Sequence, residues 1–185
     1  YREIGTMKCL GALDSFVVKM FLMESAFQGS VGSITGCLIG LLLGFLVKGV
    51  DIRKSGSGNI GATNAGRVLG RPFAYLAFAG DFGKGWLPCW VGAQVAAEPM
   101  RASPLAVLCG AAAVAGHVWP IYLRFKGGKA VATGCGAVVA LDPVVFLGGG
   151  AVWGLCALLF RFVGLSSIAM VASFPLFFWY RMGTR

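Results

Sequence analysis

Long apolar stretches separated by short basic loops leave this chain few ways to fold. Pro143–Phe162 carries one charged residue in twenty, and Leu165–Tyr180 carries none in sixteen. A helix needs about 20 apolar residues to cross about 30 Å of hydrocarbon, where its backbone groups must bond to one another. Gly29–Val47, Phe73–Ala97 and Pro104–Leu123 read as further spans. Ala130–Leu141 is shorter and would cross only with tilt or local thinning of the bilayer. Composition agrees: 12% of residues are charged and the mean hydropathy is +0.79, whereas soluble domains carry about 25% charged residues. The expected fold is all-α, a polytopic transmembrane helical bundle of roughly six spans, with residues 29–185 forming one domain. In residues 1–28, Asp14, Lys19 and Glu24 interrupt the apolar pattern, which predicts an interfacial amphipathic helix. Met23 stands just before the first clean span and is a candidate native start.

The net charge of +9 does not predict nucleic-acid binding, because of where the charge lies. Lys48, Arg53, Lys54, Arg67 and Arg71 surround one short loop, and Arg124, Lys126 and Lys129 another. Basic residues in short loops mark the cytoplasmic side of a membrane protein. Alternating the spans puts both loops on that side together with the Arg161–Ser167 turn. Arg181 and Arg185 then fall on the opposite side, against the charge rule. The six cysteines at 9, 37, 89, 109, 135 and 156 lie mostly within apolar segments, with no CxxC and no paired histidine. Neither a disulfide framework nor a metal site is expected, and no cofactor is implied.

The run Lys54-Ser-Gly-Ser-Gly-Asn-Ile-Gly-Ala-Thr-Asn-Ala-Gly-Arg67 cannot fill a core, but most of it can meet an anion. Its glycines can turn backbone N–H groups toward a phosphate or carboxylate, and Ser57, Gly58, Asn59, Thr63, Asn64 and Arg67 are candidate contacts. The alternative is a re-entrant turn without a ligand. Gly56–Gly61 fits G-x-G-x-x-G with Asp81 twenty residues beyond, yet no strand precedes it and Asp81 sits in an apolar segment, so a dinucleotide fold is rejected. In Phe125-Lys-Gly-Gly-Lys-Ala130, backbone donors at Gly127 and Gly128 and the charges of Lys126 and Lys129 could wrap a phosphate. The same residues would also serve as a plain basic turn. Asp81 and Lys84 share a helix face at i, i+3. They read either as an internal ion pair or, for Lys84, as an addition to the positive pocket. His117, the only histidine, is a general base, a hydrogen-bond anchor or a structural residue beside Trp119 and Pro120. No Ser–His–Asp or Cys–His set can be assembled.

With these loops in place, the chain resembles the bacterial membrane-integral acyl-phosphate:glycerol-3-phosphate acyltransferase family. The matching residues are Gly32–Thr35, Gly49–Arg53, Gly56–Gly70, Asp81–Gly85, Gly116–Pro120, Phe125–Lys129 with Val131–Thr133, and Leu165–Ile168. The resemblance implies transfer of a fatty acyl group from acyl phosphate to the 1-hydroxyl of glycerol 3-phosphate. Lysophosphatidate and phosphate are the products, as a step of phospholipid biosynthesis at the bacterial inner membrane. It implies that Ser57 and Arg67 are needed for activity and that Gly127 and Gly128 form a phosphate loop. It also places Ser167 in a third motif at the same site. His117 completes the expected catalytic set.

The chain departs from the family in three places. About one helical turn is added between Thr35 and Gly49, and Gly164 replaces a common serine. The family's further span and its tail, with a histidine, an asparagine and a glutamate, do not follow within this sequence. A fragment or a divergent member is therefore expected. An activated acyl phosphate and two phosphate-binding loops favour direct transfer without an acyl-enzyme. The rival readings are a transporter of a phosphorylated anion, which commonly shows internal repeats, and a non-catalytic membrane subunit.

Overall fold

The computed structural model describes residues 49–95 and 103–183, with Lys19 and Leu46 as isolated positions. The expectations for residues 1–28 and for the Gly29–Val47 span lie outside the described residues. A 3-10 turn at Ile52–Lys54 leads to α1 (Ala62–Val68) and α2 (Arg71–Val95). The chain continues through α3 (Pro104–Val118), a 3-10 turn at Ile121–Leu123, α4 (Val131–Leu141), α5 (Pro143–Phe160) and α6 (Val163–Gly183). No strand occurs among the described residues.

Local chemistry sets several helix boundaries. Ser103 accepts a hydrogen bond from Ala106 N at 3.2 Å and is followed by Pro104 at the first helical position, a favoured way to start a helix. Asp142 does the same for α5, accepting from Val144 N at 2.9 Å and Val145 N at 3.4 Å ahead of Pro143. The expected Pro104–Leu123 span is shorter than the sequence predicts. The helix stops at Val118 and Trp119 leaves it with φ −121° and ψ 57°, because Pro120 disfavours helical geometry in the residue before it.

Small residues let the central helices approach closely, as in other membrane bundles. A methyl at Gly85 would strike the Thr133 carbonyl, and one at Gly136 would strike the Phe82 carbonyl. A methyl at Gly92 would come within 3.1 Å of the Ala106 backbone, and one at Gly110 within 3.1 Å of Ala137 Cβ. α3 opposes α2, with Gly92 against Ala106 and Cys89 against Gly110, and it opposes α4, with Gly110 against Ala137 and His117 against Gly128, so α2 and α4 run in the same direction. Cys89, Ala93, Ala106, Ala137 and Ala140 form their shared core. α5 and α6 pair antiparallel through Gly149 against Phe174 and Gly148 against Phe177. Cys135, Val145, Met170 and Phe174 join that pair to α4.

Helices α5 and, within α6, Val163–Arg181 are long and apolar enough to cross a membrane. Their outer faces expose Leu147, Leu155, Leu158, Leu176 and Trp179, a pattern that suits lipid rather than water. Gly66 packs against Ala74 near the start of α2, so the first glycine-rich loop sits at that end of the bundle. The Trp119–Ala130 loop and the Arg161–Phe162 turn lie at the same end. Asp142 and Arg181 meet at the other, with Arg181 Nε 3.2 Å from Asp142 Oδ2. That pair explains how Arg181 sits against the charge rule: it is joined to a carboxylate.

Candidate functional site

The first loop is folded around one buried amide. Asn64, 1% exposed, donates from Nδ2 to Ile52 O at 3.0 Å and Ser55 O at 3.1 Å, and its Oδ1 accepts from Ser57 N at 2.8 Å. Gly56 is left-handed at φ +63°, and a Cβ there would run into Asn64 Oδ1. Gly58, at φ +69°, donates its N–H to Ser55 O at 3.1 Å. Asn59 Oδ1 accepts from Gly61 N at 2.8 Å, which closes the turn ahead of α1. Two expectations are corrected here. Asn64 is the staple of the loop and faces inward, and the amides of Ser57, Gly58 and Gly61 are engaged within the loop rather than offered to an anion. The groups presented outward are Ser57, Thr63 and Arg67, all exposed. Ahead of the loop, Asp51 accepts from Arg53 N and pairs with Arg53 Nη2 at 2.8 Å. These hydrogen bonds hold its carboxyl at about 2.

The second loop is built by main chain against main chain. Phe125 N donates to Pro120 O, Lys126 N to Leu123 O, Gly127 N to Val118 O at 3.1 Å and Gly128 N to His117 O at 3.2 Å. A Cβ on Gly127 would strike the His117 carbonyl, and one on Gly128 would strike His117 Nε2. The glycines are therefore needed for close approach, and their amides are not free phosphate donors as the sequence reading expected. Arg124 and Phe125 are consecutive left-handed residues at φ 52° and 62°, a costly conformation for residues with side chains. The winding of this loop leaves Lys126 and Lys129 exposed on either side of the glycines.

Beside the second loop, α2 carries a charged pair into the bundle. Lys84 Nζ is 2.6 Å from Asp81 Oδ1, and His117 Nδ1 is 3.6 Å from the same oxygen. Lys84 thus forms an internal pair with Asp81, one of the two alternatives left open by the sequence. His117, 4% exposed, is packed between Asp81 and Gly128. Ser167 is half-buried; its Oγ donates to Val163 O at 2.9 Å and accepts from Trp153 Nε1 at 3.4 Å.

Sequence reasoning did not single out Thr133 for a role. Among the described residues, its Oγ1 is the one buried side-chain polar atom without a partner. The signals were its place in the first turn of the helix after the glycine–lysine loop and its inclusion in the Val131–Thr133 block of the resemblance.

The glycerol-3-phosphate acyltransferase family model matches residues 30–184. A glycerol-3-phosphate acyltransferase of Desulforamulus reducens is 44% identical over 147 residues, covering 79% of this chain and 70% of that protein. One from Trichlorobacter lovleyi is 46% identical over 143 residues, covering 77% and 71%. The crystal structure of PlsY (YgiH), an integral membrane glycerol 3-phosphate acyltransferase, in its glycerol 3-phosphate form superposes with a TM-score of 0.76. It is 36% identical in sequence, and the match covers 89% of this chain and 78% of that one. The lysophosphatidic acid form of the same enzyme superposes with a TM-score of 0.75. The extent of these matches, together with the all-helical bundle, makes this chain a member of the glycerol-3-phosphate acyltransferase family.

Proposed function

We propose that this acyltransferase of phospholipid biosynthesis uses acyl phosphate as donor and acylates the 1-hydroxyl of glycerol 3-phosphate at the cytoplasmic face of the bacterial inner membrane. The observation that carries the reading is the gathering of exposed Ser57, Arg67, Lys126 and Lys129 on two loops at one end of the bundle. Two phosphorylated substrates need two sets of cations and donors, and guanidinium and ammonium groups meet phosphate with charge-assisted hydrogen bonds. The related PlsY structures carry glycerol 3-phosphate and lysophosphatidic acid as acceptor and product forms, which supports the same acceptor here.

In the proposed step, the 1-hydroxyl oxygen attacks the acyl carbonyl carbon. The bond from that carbon to the bridging phosphate oxygen breaks, and inorganic phosphate leaves. A phosphate oxygen takes the hydroxyl proton, so atoms and charge balance without a protein nucleophile. Ser57 and Arg67 steady the charge that develops on the donor, and Lys126 and Lys129 orient the acceptor phosphate. Thr63 lies beside them on the exposed face of α1. Ser167 supports the site from α6 through its contact with Trp153 rather than by gripping phosphate. The apolar outer faces of α5 and α6 suit sideways entry of an acyl chain from the bilayer. Residues 29–185 act as one catalytic domain in this reading.

The test is rapid mixing of the purified protein with acyl phosphate. Phosphate release is expected only when glycerol 3-phosphate is present, with lysophosphatidate formed in equal amount. Ser57→Ala should slow the single turnover by about 100-fold, the scale of a lost charge-stabilising donor. A stoichiometric burst of phosphate without acceptor would establish an acyl-enzyme and end direct transfer.

A further inference from the structure

The geometry points to Asp81 as a positioning residue for the acceptor-phosphate loop, acting through His117. This rests on the reading that Lys126 and Lys129 hold the phosphate of glycerol 3-phosphate. One carboxylate oxygen, Asp81 Oδ1, faces both Lys84 Nζ at 2.6 Å and His117 Nδ1 at 3.6 Å. The second distance is too long for a hydrogen bond, so Asp81 and His117 meet as packed neighbours. The opposite edge of the ring, Nε2, lies where a side chain on Gly128 would stand. Residues 117 and 118 also receive the N–H groups of Gly128 and Gly127 through their carbonyls. The imidazole thus stands between a carboxylate 3.6 Å from one edge and the glycine turn packed against the other.

Lys126 and Lys129 leave that turn on its two sides. Any tilt of the ring displaces Gly128 and changes the separation and aim of the two ammonium groups. A chain of this kind, carboxylate to imidazole to functional group, resembles the outer support that fixes ring orientation at metal and catalytic sites. Lys84 pairs with Asp81 inside the bundle, where an unpaired carboxylate would be costly. His117 therefore acts by position in this account, and its ring is not the base of the reaction.

The prediction separates this role from simple packing. Asp81→Asn should raise KM for glycerol 3-phosphate about tenfold, while kcat and KM for acyl phosphate stay within about twofold. His117→Asn should do the same. The double variant should remain near tenfold, because both changes break one chain of contacts; independent effects would multiply to about 100-fold. If Asp81→Asn does not accumulate in the membrane, the cycle is run with Asp81→Asn and Lys84→Met together, which strands no cation.

Equal losses in kcat and in both KM values, or multiplicative effects in the double variant, would overturn the inference. If the unaltered protein makes no lysophosphatidate from acyl phosphate and glycerol 3-phosphate, the functional reading itself fails, and that result is distinct from either.

Discussion

The two glycine-rich loops look alike in sequence and are held in opposite ways. In the first, one buried side chain, Asn64, ties three backbone groups together. In the second, two glycines allow the backbone of residues 125–128 to lie against the end of α3, and the bonds run from main chain to main chain. Glycine gives the first loop its left-handed turns at Gly56 and Gly58, and gives the second room for a carbonyl and an imidazole. The second loop consumes the amides of residues 125–128 and the first those of Ser57, Gly58 and Gly61, and the side chains Ser57 and Arg67 or Lys126 and Lys129 are exposed as outward chemistry. A glycine-rich loop on a membrane enzyme can therefore be a mount for cationic and hydroxyl groups rather than a cradle of amides.

The difference is broken most severely at Gly127. Its added methyl would meet the backbone carbonyls of His117 and Val118, which cannot move aside without breaking the bonds they accept from Gly128 and Gly127. Gly127→Ala should lower kcat/KM by more than about 100-fold, since misplacing a substrate by about 1 Å can cost that much. Truncating His117 to Ala should not restore it, and restoration in an acyl-transfer assay would disprove the packing account.

The next largest effect belongs to Asn64→Leu, which strands the carbonyl of Ile52 and the N–H of Ser57 and takes one of the two hydrogen bonds of the Ser55 carbonyl. Each stranded buried group costs about 1–3 kcal/mol. Thermal unfolding in detergent should begin at a clearly lower temperature than for Ser57→Ala, which removes only an exposed hydroxyl. Equal melting of the two variants would show that Asn64 is not the staple.

Gly128→Ala sharpens the contrast within the second loop, because its obstacle is a side chain. Overpacking of this kind costs about 1–3 kcal/mol, and the melting temperature should recover in Gly128→Ala with His117→Ala. The smallest effect is at the far end of the bundle. Arg181→Gln removes a pair that is one-third exposed on the arginine side and should cost less than about 1 kcal/mol, with acyl transfer unchanged.

Asp142 itself is held below its ordinary value of 3.8: burial pushes it up, and bonds from Val144, Val145 and Arg181 outweigh that push. A carboxyl with a lowered folded pKa stabilises the protein above its unfolded value. Its contribution should be full at neutral pH and fade as the pH falls below about 3.8 toward its lower folded value, and Arg181→Gln should flatten that acid loss.

Much of the fold could be read from residues alone. α5 and α6 follow from stretches almost free of charge, and the Pro104 and Pro143 starts follow from the Ser and Asp that precede each proline. The end of α3 at Val118 was missed because the apolar run continues to Leu123, while Pro120 acts on the backbone of the residue before it. In the site, Ser57, Arg67, Lys126 and Lys129 were legible as exposed chemistry on loops. The inward roles of Asn64, Gly127 and Gly128 were not. A glycine reads the same whether its N–H faces a ligand or a carbonyl, and an asparagine reads the same whether it binds phosphate or staples a turn. The meeting of Asp81 with His117 depends on how α2 packs beside α3, which no local pattern records.

The central claim is that both loops present their groups at one membrane face. It is tested most directly by placing Ser57→Cys and Lys126→Cys, one at a time, in a background whose native cysteines are replaced, and labelling sealed vesicles with a charged maleimide that cannot cross the bilayer. The account predicts that both positions react from the cytoplasmic side and that neither reacts from the other. Labelling of the two positions from opposite sides would contradict it.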